Sequence, residues 1–222
     1  MITPSAIWDA FNDPFVNGPE QLWIHVQMSL VALLIATAIA IPLGLVFAKS
    51  HRAGSVATTL VSGVGRAVPT FAVMALVAAL VTIGFWPAVV GLVILGIPPI
   101  LLNTVVGIRE VDRGAVEAAR GMGFTRRQVL ERIEIPLAVP LVFAGLRLSA
   151  NQIVATAALA GFVGAEGLGV IVQSGLFNAQ DDVLLAGAIP IALLAIVAQL
   201  ILTGIERLAS PKGLRVARAA RA

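Results

Sequence analysis

The sequence has few charged residues for its length. Aspartate, glutamate, lysine and arginine make up 12% of the 222 residues, and 59% of the chain is hydrophobic. A soluble domain carries about 25% charged residues. The mean hydropathy of +0.98 agrees with this shortage of charge. A chain of this composition has too little polar surface to fold in water, so we predict a membrane protein.

Several residue types that enzymes need are missing. The chain has no cysteine, which excludes disulfides and thiolate metal sites. Its two histidines, His25 and His51, lie near predicted helix ends and form no ligand cluster, and no carboxylates pair within the apolar runs. No Gly-Lys dipeptide occurs, so the phosphate-binding loop of an ATPase is absent. We therefore predict no catalytic residues, no metal and no cofactor in this chain.

Long uncharged runs predict five membrane-spanning helices. About 20 apolar residues cross the hydrocarbon core, and the uncharged tract from Ala67 to Ile108 is long enough for two crossings, with a break at Gly84–Pro87. The fold class is therefore all-α, a single transmembrane domain over residues 1–222. The predicted spans cover about residues 25–48, 55–83, 88–108, 135–161 and 183–206.

Basic loops alternate with loops that have no base. The first 24 residues contain no lysine or arginine, and the loop after the fourth span holds Glu166, Asp181 and Asp182 without a base. The loop after the first span, the charged insert after the third span and the C-terminal tail carry the basic residues, and the turn at residues 84–87 has none. Because lysine and arginine accumulate in cytoplasmic loops, we predict an external N-terminus and a cytoplasmic C-terminus. The same rule explains the basic tail without nucleic-acid binding.

A charged insert with six arginines separates the third and fourth spans. Asp112 can cap a helix over about residues 113–122, and Gly123 suits the left-handed residue that ends a helix. Thr125 and Gln128 fit a capping box, which predicts a second helix running towards the fourth span. The insert is therefore predicted to hold a short separate helix, a turn and a return to the membrane.

The short predicted helix has one face of small and apolar residues. A helix of about ten residues is marginal by itself in water, so this face must pack against something. The sequence leaves open whether it packs on the protein's own helices or enters a groove of a partner, with Glu117 and Arg120 making polar contacts beside it. The face consists of Ala115, Ala118, Ala119 and Met122.

Two arginines and several prolines fall inside predicted spans. Arg66 and Arg147 are intramembrane charges, with Asn151 on the same helical face as Arg147 and Gln152 beside it. Such charges are functional candidates. They either line a translocation pathway or form a structural pair or bonds to carbonyls freed by proline. The prolines fit a packed bundle and a bundle that changes shape equally well; they are Pro42, Pro69, Pro98, Pro99, Pro140 and Pro190.

The insert also carries a recognisable motif. Glu117-Ala118-Ala119, three residues, Gly123, nine residues and then Ile133-Glu134-Ile135-Pro136 resemble the EAA motif of binding-protein-dependent ABC importer permeases, with Ile135 in place of leucine. Further segments are similar to permeases for glycine betaine, carnitine and choline, although Glu166 stands where a small residue is expected. These segments are residues 66–70, 98–104, 145–160 and 161–169.

This resemblance implies a type I ABC importer permease in the bacterial inner membrane. It implies that Glu117, Ala118, Ala119 and Gly123 couple the chain to cytoplasmic ATPase subunits, which hold ATP and magnesium. It further implies an external substrate-binding protein and a dimer with a second copy or a sister permease. The alternatives are an amino-acid permease, for example for methionine, and a secondary transporter or channel subunit. A secondary transporter usually needs a titratable acid at mid-membrane, and the spans show none.

The resemblance also implies a small quaternary-ammonium substrate such as glycine betaine, choline or carnitine. Proteins recognise this group with aromatic cages. The chain has no tyrosine, which leaves Phe71, Phe143 and Phe162 near a possible path. We therefore expect specificity in the separate binding protein and at most a weak, transient site here.

Overall fold

The computed structural model describes residues 3–50 and 69–211, and all regular structure in those ranges is helical. The all-α prediction is confirmed. In chain order the elements are α1 (Pro4–Asn12), α2 (Gly18–Lys49), α3 (Thr70–Leu80), α4 (Phe85–Arg109), α5 (Arg113–Gly121), α6 (Arg126–Val129), a π-helical turn (Leu130–Glu134), α7 (Ile135–Ala157), a 3₁₀ turn (Ala158–Val163), α8 (Leu168–Phe177) and α9 (Asp181–Ala209).

Within the described ranges, four helical segments are long and apolar enough to cross a membrane. They are α2, α4, the continuous run Arg126–Val163 and α9. The predicted span over residues 55–83 is represented only by α3, which has 11 residues. The rest of that span, including Arg66, lies outside the described residues. The predicted count of five is therefore not matched one for one.

Helix ends differ from the predicted spans because charge alone does not end a helix. The predicted first span starts at residue 25, but α2 begins at Gly18, with Pro19 in its first turn and Glu20 near its positive end. The fourth predicted span starts at residue 135, but the helical run begins at Arg126, so its charged first turns precede the apolar part. Helices α1 and α8 lie in segments where the sequence analysis proposed no element.

The core forms where α2 packs on α4 and α4 packs on α7. Ala32, Ala36 and Ala40 recur every fourth residue along α2, and all three are fully buried. One turn further on, a Cβ added at Gly44 would lie 2.7 Å from Cβ of Thr104 on α4. Small side chains let helix backbones approach closely where lipid supplies no hydrophobic force between helices. The stripe of small residues therefore sets the distance between α2 and α4.

Three helices meet at Gly96 of α4. A Cβ there would lie 2.8 Å from both Ile153 Cδ1 and Ser149 Oγ of α7, and 3.1 Å from Cβ of Ala36 on α2. The Ser149 hydroxyl donates a hydrogen bond to the Gly96 carbonyl over 3.0 Å. Gly96 is thus a point where no side chain fits without displacing its neighbours.

We expect Gly96→Leu to destabilise the helix bundle by about 1–3 kcal/mol or more, because an overpacked core forces side chains and backbone apart. The matched control is Gly204→Leu on α9, where an added Cβ meets no described atom within 4 Å. The thermal unfolding midpoint of the purified protein in detergent measures the difference. Equal midpoints for the two variants would contradict the tight crossing at Gly96.

Most of the prolines predicted inside spans do lie inside helices. Pro42 lies in α2, Pro98 and Pro99 lie in α4, and Pro190 lies in α9. Pro140 likewise lies inside α7. Pro69 is an exception, because it is the residue that precedes α3 and acts as its N-cap. A proline at a helix start loses no intrahelical hydrogen bond.

Candidate functional site

The short helix α5 has well-formed ends. The Asp112 carboxylate accepts a hydrogen bond from the Ala115 amide over 2.9 Å, as an N-cap does. At the other end Gly123 adopts a left-handed conformation with φ of +84°. The amides of Gly123 and Phe124 donate to the carbonyls of Arg120 and Ala119 over 2.9 and 3.1 Å, which is the Schellman pattern. Local sequence therefore fixes where α5 begins and ends.

A capping box starts the next helix directly afterwards. The Gln128 amide donates to Thr125 Oγ1 over 3.3 Å, and the Thr125 amide donates to Gln128 Oε1 over 2.8 Å. Both bonds of the predicted box are present. The turn between α5 and α6 is thus specified on both sides, which sets the direction in which α5 leaves the membrane helices.

Part of the predicted apolar face of α5 packs against this chain, and part of it is exposed. Ala119 is buried and Ala115 half-buried, because α5 packs against α6 and the π-helical turn. Ala118 and Met122 are exposed, as is Glu117. The predicted face is therefore only partly covered within this chain: the side carrying Ala119 anchors the helix, and the side carrying Glu117 and Ala118 is open.

The end of α2 is tied to the same region. The Lys49 ammonium forms an ion pair with the buried carboxylate of Glu134, in the last part of the EAA motif. The Arg109 guanidinium donates to the Phe47, Ala48 and Ser50 carbonyls, with a shortest distance of 2.9 Å. Sequence reasoning missed both contacts, because each joins residues at least 59 positions apart. These contacts attach the end of α2 to the charged insert and to the end of α4.

Arg147, a predicted pathway residue, forms an ion pair with Glu206 of α9. The side chains are 20% and 9% exposed, so both charges are largely removed from solvent. The sequence analysis allowed such a pair as one alternative, and a pathway role for Arg147 stays a prediction. Glu206 was missed because it ends the last apolar run, and the sequence does not show which helix faces that end.

The polar contact continues along α7 and α9. Asn151 Nδ2 donates to Gln199 Oε1 over 3.3 Å, one turn from the ion pair. Gln152 lies beside Asn151 and is half-buried. A cleft of about 510 Å³ opens beside this polar seam, by which we mean Arg147, Asn151, Gln199 and Glu206. Its lining residues are Pro140, Leu141, Ala144, Arg147, Gln199, Thr203, Glu206 and Arg207.

The described residues contain no group of three or more His, Asp or Glu side chains placed to hold a metal ion. His25 is fully buried in α2, and its Nε2 lies 3.1 Å from the Val154 carbonyl of α7. That contact makes His25 part of the helix packing. His51 and Arg66 lie outside the described residues.

Long apolar helices joined by a charged insert, whose first helix presents Glu117 and Ala118 outwards, define a polytopic membrane protein. The family described as "Binding-protein-dependent transport system inner membrane component" matches residues 40–212. The chain belongs to this family, the membrane subunits of ABC importers. The resemblance inferred from the EAA motif is confirmed.

Two relatives align with nearly the whole chain. The carnitine transport permease protein OpuCB of Listeria monocytogenes is 38% identical over 213 residues, which is 96% of this chain and 97% of the relative. The glycine betaine/carnitine/choline transport system permease protein OpuCB of Bacillus subtilis is 34% identical over 202 residues, 90% and 93% of the two chains.

A solved structure confirms the fold. A chain of the MetNI methionine ABC transporter, from a crystal form with inward-facing conformations, matches with a TM-score of 0.74 and 21% identity. The match covers 95% of this chain and 100% of the other. At that identity the likeness shows the type I permease fold alone.

Proposed function

We propose that this chain is the membrane subunit through which a small quaternary-ammonium osmolyte (glycine betaine, choline or carnitine) enters the cytoplasm. The observation that carries the proposal is the 38% identity to a carnitine permease over 96% of this chain. A second relative is named for glycine betaine, carnitine and choline. The likeness to a methionine transporter, at 21% identity, supports only the fold.

The proposed driving force is ATP hydrolysis on separate cytoplasmic subunits, which hold ATP and its magnesium ion. The open side of α5 supports this, because exposed Glu117 and Ala118 stand beyond the anchored Ala119 where a partner can reach them. The fixed turn at Gly123 holds α5 at a set angle. Together with the Lys49–Glu134 ion pair, this arrangement transmits a movement of α5 into the bundle instead of absorbing it in a flexible loop.

The proposed pathway lies between two permease subunits, a second copy or a sister chain, fed from outside by a substrate-binding protein. Many large apolar side chains of the described helices are exposed, along α9 above all: Leu193, Ile196, Leu200 and Ile201 are each more than half exposed. Lipid and a second subunit are the surroundings that accept such a surface. Arg66, Arg147, Asn151 and Gln152 remain candidate pathway residues.

The proposed orientation places the N-terminus outside and α5 with the C-terminus in the cytoplasm. Reporter fusions after residues 20, 52, 125, 175 and 222 should read outside, inside, inside, outside and inside, because the basic segments lie on the cytoplasmic side. Paired alkaline phosphatase and fluorescent protein reporters give opposite signals at each site and serve as controls for expression. A cytoplasmic reading at residue 175 would contradict the topology.

The substrate is tested by uptake of labelled glycine betaine, choline, carnitine and methionine in cells with and without the gene, at low and high osmolarity. We expect deletion to lower uptake of at least one quaternary-ammonium compound and to leave methionine uptake unchanged. A complementing plasmid is the control. Loss of methionine uptake alone would overturn the substrate proposal while leaving the importer family intact. Uptake that persists after ATP depletion would instead favour a secondary transporter.

A further inference from the structure

Three phenylalanines from separate segments meet in one row. Phe71 lies in the first turn of α3, Phe162 in the 3₁₀ turn and Phe177 at the end of α8. The ring centroids of Phe71 and Phe162 are 6.1 Å apart at 88°, and those of Phe162 and Phe177 are 6.1 Å apart at 80°. We call these residues the aromatic row.

The rings are in contact with one another and still accessible. Phe71 and Phe162 are each 42% exposed, and Phe177 is 70% exposed. Edge-to-face pairs are the arrangement that the ring quadrupole prefers. Each such pair uses one ring face and one ring edge, so part of the negative ring surface stays available. By contrast, Phe143, which the sequence analysis placed near a possible path, is half-buried and packs against the main core, so it is not part of the aromatic row.

The segments that carry the aromatic row are held firmly together. The Gly84 amide donates to the Val163 carbonyl over 3.3 Å, which attaches the 3₁₀ turn to the start of α4. Gly164 has a left-handed φ of +74° and faces Ile83. A Cβ at Gly169 of α8 would lie 2.1 Å from the Ala158 carbonyl oxygen, so the two backbones are in contact. The position of Phe162 between its neighbours is thus built by the backbone.

The chain around Phe162 and Phe177 carries acidic residues and no basic ones. Between Arg147 and Arg207 the chain has no lysine or arginine. The acidic residues Glu166 and Asp181 lie four residues from Phe162 and Phe177 respectively, and both are exposed. Within the described residues 148–206 the chain therefore has carboxylates and no base, and such a charge balance raises the local concentration of cations.

We propose that the aromatic row is a transient site for the quaternary ammonium group of the substrate. The proposal rests on the proposed function, whose substrates share that group. A methylated ammonium cannot donate hydrogen bonds, so it is recognised by aromatic faces and by nearby negative charge. Three partly open rings supply the faces, and an exposed carboxylate lies four residues along the chain from Phe162 and from Phe177. Open rings bind a cation more weakly than an enclosed cage does, and weak binding suits a site that must release its ligand.

The test lowers the negative charge on the ring face of Phe162 while keeping the shape of the side chain nearly the same. Phenylalanine, monofluoro-, difluoro- and trifluorophenylalanine are incorporated at position 162 of the full chain. The complete importer is then assembled in proteoliposomes with its ATPase and binding protein. We expect uptake of choline at limiting concentration to fall stepwise with fluorine number, reaching about two- to fivefold, the factor that one cation–π contact at an exposed site supplies. The same series at Phe143 is the matched control and should leave uptake unchanged.

The proposal is overturned if choline uptake does not fall with fluorine number at position 162, or if it falls equally at position 143. Cation binding depends on the negative charge of the ring face, whereas ring packing alone does not. The unmodified importer separates this outcome from failure of the proposed function. If it transports none of choline, betaine and carnitine, the proposed function fails and the site proposal falls with it. If it transports them and the series is flat, only the site proposal fails.

Discussion

Replacing Glu117 with lysine is expected to abolish ATP-driven uptake while the protein still inserts into the membrane at normal levels. The Glu117 side chain is exposed on the open side of α5, so the substitution disturbs no packing inside the chain. At a docking surface, loss or reversal of a buried interfacial charge costs about 2–5 kcal/mol. The expected result is a roughly 30-fold or greater loss of affinity for the ATPase subunits, with α5 itself intact.

The measurement is co-purification of the ATPase together with uptake in the same membranes. Glu110→Lys is the matched control, because Glu110 is also exposed, lies at the end of α4 outside α5, and undergoes the same change of charge. We expect Glu110→Lys to keep both ATPase and transport. If Glu117→Lys keeps both ATPase co-purification and uptake, Glu117 is not part of the coupling surface.

Replacing Arg147 with alanine is expected to be the most destabilising change in the polar seam. Glu206 is then left without its Arg147 partner in a position that is 9% exposed. Removing one member of a buried pair costs about 3–5 kcal/mol, and the partial exposure of Arg147 places the expected loss at the low end of that range. We expect lower steady-state protein and a lower unfolding midpoint in detergent.

The double variant Arg147→Ala/Glu206→Ala separates structure from transport. Removing both charges should recover part of the stability lost by Arg147→Ala, because the buried Glu206 carboxylate is then removed together with its Arg147 partner. If the double variant is stable and transports normally, the pair is structural and Arg147 has no pathway role. If it is stable but inactive, Arg147 or Glu206 takes part in transport. Additive losses in stability would show that the two side chains do not interact as the structure has them.

The sequence predicted best those features that depend on neighbouring residues. The ends of α5 follow from Asp112 and Gly123, and the start of α6 follows from the Thr125 and Gln128 side chains, all within a few positions of one another. The long apolar runs likewise predicted α2, α4, α7 and α9, because each run must bury or face lipid along its whole length. Helix α8 was missed because the glycines at its start, Gly167 and Gly169, are typical of a loop, whereas Gly169 is needed for the close approach of α8 to Ala158.

Contacts between residues far apart in the chain could not be predicted from the sequence. Nothing local to Arg147 indicates Glu206, and nothing local to Lys49 indicates Glu134; both pairings depend on how the helices are arranged. The aromatic row could not be predicted for the same reason. The packing of α3 and α8 on the 3₁₀ turn brings Phe71 and Phe177 to Phe162. The division of the α5 face, with Ala119 buried and Ala118 exposed, likewise required the position of the neighbouring turn.

Site-directed photocrosslinking tests most directly whether α5 is the surface that docks on the ATPase. A photoreactive phenylalanine analogue is placed at Ala118, exposed on the open side of α5, and separately at Ala179, exposed beyond the end of α8. The complete importer is irradiated in native membranes with and without ATP, and the adducts are identified by mass spectrometry. We expect position 118 to label the ATPase subunit, with a yield that changes on adding ATP, and position 179 to label none. An ATPase that co-purifies with the chain and is labelled from position 179 instead of 118 would contradict the account.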